Sequence, residues 1–157
     1  FSALNAPDVT LTMAGGGWER FTEAANTAAA TLSKRLVRPG LLPPEEAAAL
    51  ENRADVLVSL GNAYDNQMPS KLFGYFATGK PILHLAASDT DPTLPYLARY
   101  PLALVLYAKD GVTPGVTARL NRWLHEVRGR QLPFAETAQL YPEFTPEKVA
   151  EEFLRWI

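Results

Sequence analysis

Asp55-Val56-Leu57-Val58-Ser59-Leu60 is a short apolar run, and Gly61 ends it. A polar stretch follows over residues 61–67, then Pro69-Ser70-Lys71, a helical segment closing near Thr78-Gly79, and a second apolar run, Pro81-Ile82-Leu83-His84-Leu85-Ala86. The first run is apolar enough to read as a strand buried on both faces, and the second reads as another strand. Pro suits the opening turn of a helix, and Gly79 supplies its left-handed cap. A strand, a helix and a strand in succession form a crossover unit with parallel strands.

The same alternation continues on both sides. Upstream, Val9-Thr10-Leu11-Thr12-Met13-Ala14 reads as a strand broken by Gly15-Gly16-Gly17. Residues 18 to about 33 are Ala-rich, without Pro or Gly, and read as a helix. Leu36-Val37-Arg38 is a short strand ended by Pro39-Gly40, and Pro43-Pro44-Glu45-Glu46 opens a helix running to about Arg53. Downstream, residues 89–101 form a Pro-bearing loop with room for one helical turn, and residues 102–107 a fifth strand. Residues 117–127 read as a helix, residues 128–144 as the least structured segment, packed on the surface, and Pro146 opens a last helix reaching Ile157. The expected fold is α/β: one Rossmann-like doubly wound parallel sheet of about five or six strands with helices on both faces, a single domain over residues 1–157. No internal repeat, low-complexity tract or interdomain linker interrupts it.

Composition narrows the function classes. The chain has 157 residues, enough for one domain with a core, and 47% are apolar, as in ordinary soluble proteins. Its formal charge of −2 argues against a nucleic-acid partner, which would want a basic face. It has no cysteine, which removes disulfides, thiolate metal sites and cysteine nucleophiles and fits a cytoplasmic location. No apolar run approaches the roughly 20 residues of a membrane span, and no signal peptide is visible. The chain opens at Phe1 rather than Met, as an excised piece of a longer protein would.

Ligands of open α/β sheets bind at the carboxyl ends of the strands. Three loops qualify: Gly15-Gly16-Gly17, Pro39-Gly40-Leu41-Leu42, and residues 61–71. The glycine triplet lets a ligand approach the backbone, or is simply a tight turn; Arg20 at the sixth position breaks the full dinucleotide fingerprint. The stretch Asn62-Ala63-Tyr64-Asp65-Asn66-Gln67-Met68-Pro69-Ser70-Lys71 sets amides, a hydroxyl and a cation at a helix N-terminus. Lys71 there opposes the helix dipole, and a bound diphosphate would remove the conflict. The alternative reading makes Ser70 a helix cap and Lys71 a solvated surface residue.

The blocks Ala54-Asp55-Val56-Leu57-Val58-Ser59-Leu60-Gly61-Asn62 and Met68-Pro69-Ser70-Lys71-Leu72-Phe73-Gly74-Tyr75-Phe76-Ala77-Thr78-Gly79-Lys80-Pro81-Ile82 together resemble the signature of bacterial GT-B glycosyltransferases. The resemblance extends over about residues 9–107. It implies the C-terminal, donor-nucleotide-binding half of such an enzyme, with a nucleotide-diphosphate sugar lying over the strand ends. Ser70, Lys71 and nearby amides would meet the diphosphate, with Met68 and Pro69 in the same segment. The backbone around Arg38 and Pro39 would flank the base, Asn62 and Asn66 would lie toward the sugar, and Gly15 and Gly16 would admit the ligand. The sugar would pass to a hydroxyl acceptor in cell-surface polysaccharide or glycoconjugate synthesis, with no required metal or cofactor and no catalytic residue assigned in this half. The implied partner is the N-terminal acceptor-binding domain of the same protein, through which any contact with the inner membrane face would run. Many relatives carry a glutamate on the ribose where this chain has Gly74, and an acid where it has Asn66; Tyr75 would partly compensate.

Two other readings remain open: a nucleotide-sugar epimerase on the same fold, and a non-enzymatic flavodoxin-like module with a degenerate site. Other residues carry weaker signals. His84 inside a strand reads as a core imidazole, and His125 as solvated. Asp89-Thr90-Asp91 reads as turn or cap formers rather than a metal site. Trp123 with Leu124, and Phe153 with Trp156, have helical spacing and are expected to pack on the sheet.

Overall fold

The computed structural model describes residues 3, 4, 6–16, 27, 30, 35–62, 64 and 66–156. The helix expected over residues 18–33 and Gly17 of the glycine triplet lie outside them, apart from Thr27 and Ala30. The elements run β1 (Leu11–Ala14), β2 (Leu36–Gly40), α1 (Pro44–Arg53), β3 (Leu57–Leu60), α2 (Lys71–Thr78), β4 (Ile82–Ala86), α3 (Leu94–Leu97) and β5 (Ala103–Tyr107). They continue through a 3-10 turn (Ala108–Asp110), α4 (Pro114–Val127), α5 (Phe134–Leu140), a second 3-10 turn (Pro142–Phe144) and α6 (Pro146–Leu154).

The architecture is α/β and broadly Rossmann-like, but the strands do not form one sheet of five or six. Among the described residues β1 and β2 make a two-stranded parallel sheet, and β3-β4-β5 a three-stranded parallel sheet in that order. Hydropathy marks a segment as a strand without naming its hydrogen-bond partner, so the pairing was not readable. The chain divides into two units, residues 1–54 with 112–122, and residues 55–111 with 123–157.

In the first unit the β1–β2 pairing slips between Thr12 and Ala14, so that β2 spends one extra residue between Val37 and Gly40. That bulge accommodates Pro39, which has no N–H to give the ladder. Pro39 and Gly40 therefore belong to the strand, which the sequence reading ended at Arg38.

In the second unit β3, β4 and β5 are aligned residue for residue, with Ser59 opposite His84 and His84 opposite Val105. Leu57 and Ile82 are buried on one face of this sheet, and Leu104 and Leu106 on the other. β3 is not buried on both faces as its apolar run suggested: Val58 is 36% and Leu60 60% exposed. An apolar run tells what a strand tolerates, not which face receives a covering layer.

Residues 128–144 hold α5 and a 3-10 turn rather than a loose surface segment. Thr137 and Tyr141 of this stretch are buried. Tyr141 stacks on Phe76 with ring centroids 4.4 Å apart, and its hydroxyl donates to the Tyr96 carbonyl at 2.8 Å. Tyr100 packs on Phe76 and donates to the Lys80 carbonyl. Burial pushes both phenols above their usual range, so they stay neutral and act as donors. The Arg99 guanidinium lies over the Tyr141 ring and pairs with Glu143. These contacts join residues far apart in sequence, and a short helix held by them has a weak local signature. Trp123 is buried as expected, whereas Phe153 and Trp156, the latter 88% exposed, are not packed on the sheet.

α2 carries Gly74 in its interior, exposed, and beyond the helix's own backbone no atom of the described residues lies within 4 Å of the point where a Cβ would stand. Nothing steric requires glycine here. Gly74→Ala is therefore expected to stabilise the chain by about 0.5–1 kcal/mol, through helix propensity alone. Thermal unfolding checks it: the midpoint should rise by roughly 1–4 °C. An unchanged or lower midpoint would mean that the exposed glycine serves the folded state in some other way.

Candidate functional site

The residues singled out in the sequence fall at carboxyl ends of strands in both units, and each unit is described by itself. In the first, Gly15 follows β1 and its amide donates to the Gly40 carbonyl at 2.8 Å, which joins the Gly15-Gly16 turn to the end of β2. Among the described residues, adjoining ones aside, no atom lies within 4 Å of a Cβ built on either Gly15 or Gly16. Arg38 sits on β2 and is exposed.

In the second unit the loop from β3 to α2 brings together Asn62, Asn66, Met68, Pro69, Ser70 and Lys71, with Tyr75 one turn into the helix. The Asn62 side-chain amide donates to the Gln67 carbonyl at 3.0 Å and closes the loop on itself. Asn66, Ser70 and Lys71 are exposed, while Met68, Pro69 and Tyr75 are half-buried. Ser70 occupies the N-cap position with φ −59° and ψ −30°, and its side chain makes no capping hydrogen bond. A capping serine takes extended backbone and bonds an amide two or three residues on. Ser70 does neither, so the simple-cap reading of this hydroxyl does not hold. The first turn of α2 contains no acid, and Lys71 opens it. The helix thus presents its positive end with a hydroxyl and an ammonium beside it.

Beneath this loop is an assembly that the sequence did not disclose. His84, on the inward face of β4, is 0% exposed, and Asp91, between β4 and α3, is 2% exposed. His84 Nδ1 lies 3.1 Å from Ser59 Oγ, and Nε2 lies 3.0 Å from Asp91 Oδ2. The Thr93 hydroxyl donates to Asp91 Oδ1 at 2.6 Å and the Thr93 amide donates to the same oxygen at 2.9 Å. Thr93 Oγ1 also stands 3.2 Å from His84 Nε2. An ionised carboxylate only accepts, so Nε2 carries a proton shared between Asp91 and Thr93, while Nδ1 is hydrogen-bonded to the Ser59 hydroxyl. Burial raises the Asp91 carboxyl, but the hydrogen bonds from the Thr93 hydroxyl and amide and the His84 imidazole outweigh it and hold the group below its ordinary range.

Ser59, His84 and Asp91 have the composition of a nucleophilic triad, yet all are buried. A carbonyl substrate cannot reach the serine, so the group is a core network and not a hydrolytic centre. Asp91 also makes the Asx turn that opens α3, as a turn former would. One sequence signal could have found the assembly: Ser59 and His84 are the polar members of otherwise apolar strands, and a polar group buried in a strand needs a partner. His125, by contrast, is exposed on α4.

Among the described residues no helix is long and apolar enough to cross a membrane. No family model, no curated protein and no solved structure matches the chain.

Proposed function

We propose that the chain is the donor half of a GT-B glycosyltransferase and binds a nucleotide-diphosphate sugar for transfer of the sugar to a hydroxyl acceptor. One observation carries the reading: Ser70 and Lys71 stand exposed at the opening turn of α2, where Ser70 makes no capping hydrogen bond and the first turn of the helix contains no acid. They follow the carboxyl end of a parallel strand, where α/β sheets take their ligands. The blocks from Ala54 to Asn62 and from Met68 to Ile82 supply the glycosyltransferase part of the reading, as a resemblance. The acceptor is bound by an N-terminal domain of the same protein, and the work is done in the cytoplasm.

Lys71→Ala is expected to weaken nucleoside-diphosphate binding by about 1.5–3 kcal/mol, the range for a charge-assisted hydrogen bond. That corresponds to roughly a 10- to 150-fold higher Kd. The check is a thermal-shift titration against UDP, GDP, ADP, TDP and their sugar conjugates. A ligand at about 100 times its Kd adds about 2.7 kcal/mol. A shift with one base, lost in Lys71→Ala, supports the reading and names the nucleotide. Equal shifts in parent and variant would remove Lys71 from the site.

Gly74 favours a second reading, a module whose donor site has degenerated. The position where related enzymes hold a ribose-binding glutamate is exposed and has open space around it. Under that reading neither this chain nor the full-length protein is stabilised by any nucleotide.

A further inference from the structure

A buried histidine–carboxylate pair is a costly way to fill a core. Apolar residues of similar volume are often as stable or more so, which leaves the pair to be explained by something other than stability. Its surroundings suggest what. The network reaches the loop after β3 through direct contact with Gly61. A Cβ on Gly61 would stand 2.1 Å from Asp91 Oδ2 and 3.0 Å from the Ala87 amide nitrogen, so the Gly61 backbone is seated against the carboxylate. The Gly61 amide donates to the Leu85 carbonyl at 2.9 Å, one residue beyond His84. Asn62 comes next and closes the loop onto Gln67. A continuous chain of contacts therefore leads from His84 through Asp91 and Gly61 to the loop that ends at Ser70 and Lys71.

We infer that the Ser59–His84–Asp91–Thr93 network positions the β3–α2 loop, holding Gly61 and Asn62 where a nucleoside diphosphate is received. The assignment of that ligand rests on the proposed function, whereas the seating of the loop does not. His84, Asp91 and Thr93 are positioning residues: none is exposed to a ligand, and each acts through Gly61. The imidazole fixes Asp91 from the strand side, and Thr93 fixes its second oxygen from the α3 side. A carboxylate held at both oxygens cannot swing, and the backbone packed on it is placed with it.

The test uses two variants that preserve volume, Asp91→Asn and Thr93→Val, with amide hydrogen exchange read at Gly61 and at the β5 residues Leu104 and Leu106. A loop amide exchanges by local opening, and core amides by global unfolding. If the network positions the loop, Gly61 exchange accelerates about tenfold or more in both variants, at temperatures where the chain stays folded. A merely structural network would accelerate Leu104 and Leu106 and leave Gly61 at its parental rate, which overturns the inference. Thr93→Val removes a single hydroxyl, so it carries the test if Asp91→Asn does not fold. The Kd for the nucleoside diphosphate that stabilises the parent should rise about tenfold alongside. If Gly61 accelerates but UDP, GDP, ADP and TDP all fail to bind the parent, the positioning of the loop stands and the donor reading falls. If the parent binds and Gly61 is unmoved, the reverse holds.

Discussion

Gly79→Ala should destabilise the protein by about 2–5 kcal/mol, from two separate sources. Gly79 caps α2 with φ +71°, a conformation an L side chain rarely adopts, and its amide bonds back to the Phe76 carbonyl. Left-handed backbone alone costs an alanine about 1–2 kcal/mol. The added Cβ would also stand 2.0 Å from the Leu132 carbonyl oxygen and 3.0 Å from its carbon. Those are backbone atoms, fixed there because the Leu132 amide donates to the Gly79 carbonyl at 2.8 Å. A methyl group cannot rotate away, so the segment leading into α5 must move, at about 1–3 kcal/mol for overpacking. Gly129 provides the control: it has φ +69° but nothing within 4 Å of its Cβ position. Urea unfolding of both variants separates the terms. A Gly79→Ala loss no larger than that of Gly129→Ala would mean that the close approach to Leu132 is not present in solution.

Asp91→Ala should cost about 3–5 kcal/mol, because each buried donor left without its acceptor costs about 1–3 kcal/mol. The truncation strands the His84 Nε2 hydrogen, the Thr93 hydroxyl and the Thr93 amide in a region closed to water. The same carboxylate makes stability depend on pH. Its folded pKa lies below the ordinary value, so it contributes stability that is present above the unfolded pKa and is lost as pH falls through the folded one. The loss begins below about pH 4, where an unfolded aspartate takes up its proton. Glu143 is also held below its ordinary range, by the hydrogen bond from Arg99. It acts in the same sense, but at an exposed pair whose contribution is small. Denaturation midpoints measured from pH 7 down to pH 3 should therefore fall below about pH 4 in the parent and less so in Asp91→Ala, with Glu143→Gln close to the parent. Parallel acid limbs in parent and Asp91→Ala would show that Asp91 is not the group being protonated.

These two sites also mark the boundary between what a sequence can say and what it cannot. The strand–helix–strand unit from Leu57 to Ala86 was legible, because apolar runs, Pro69 and Gly79 act over a few residues of local chain. The glycine at the end of α2 was recognisable as a left-handed cap for the same reason. That Leu132, in a segment read as loose, would press its backbone on that glycine was not. The loop carrying Ser70 and Lys71 was found from its polar composition and its place after a strand. Whether Ser70 caps the helix depends on its backbone angles, and those came only with the structure.

Pairing and burial were decided elsewhere. His84 meets Ser59 across 25 residues of chain, and the Gln131 side chain reaches the Thr78 carbonyl across 53. No local propensity encodes such distances, so the division of strands into two sheets and the helix Phe134–Leu140 stayed hidden. The exposure of Leu60 and Trp156 was hidden too, since an apolar residue looks the same with or without a partner. The chain alone thus determined its α/β alternation, its caps and its candidate anion loop, which depend on backbone angles and hydropathy over a few residues. Tertiary structure alone decided which strands pair, which faces are covered and that Ser59, His84, Asp91 and Thr93 share one buried network, because those follow from contacts between segments that only folding brings together.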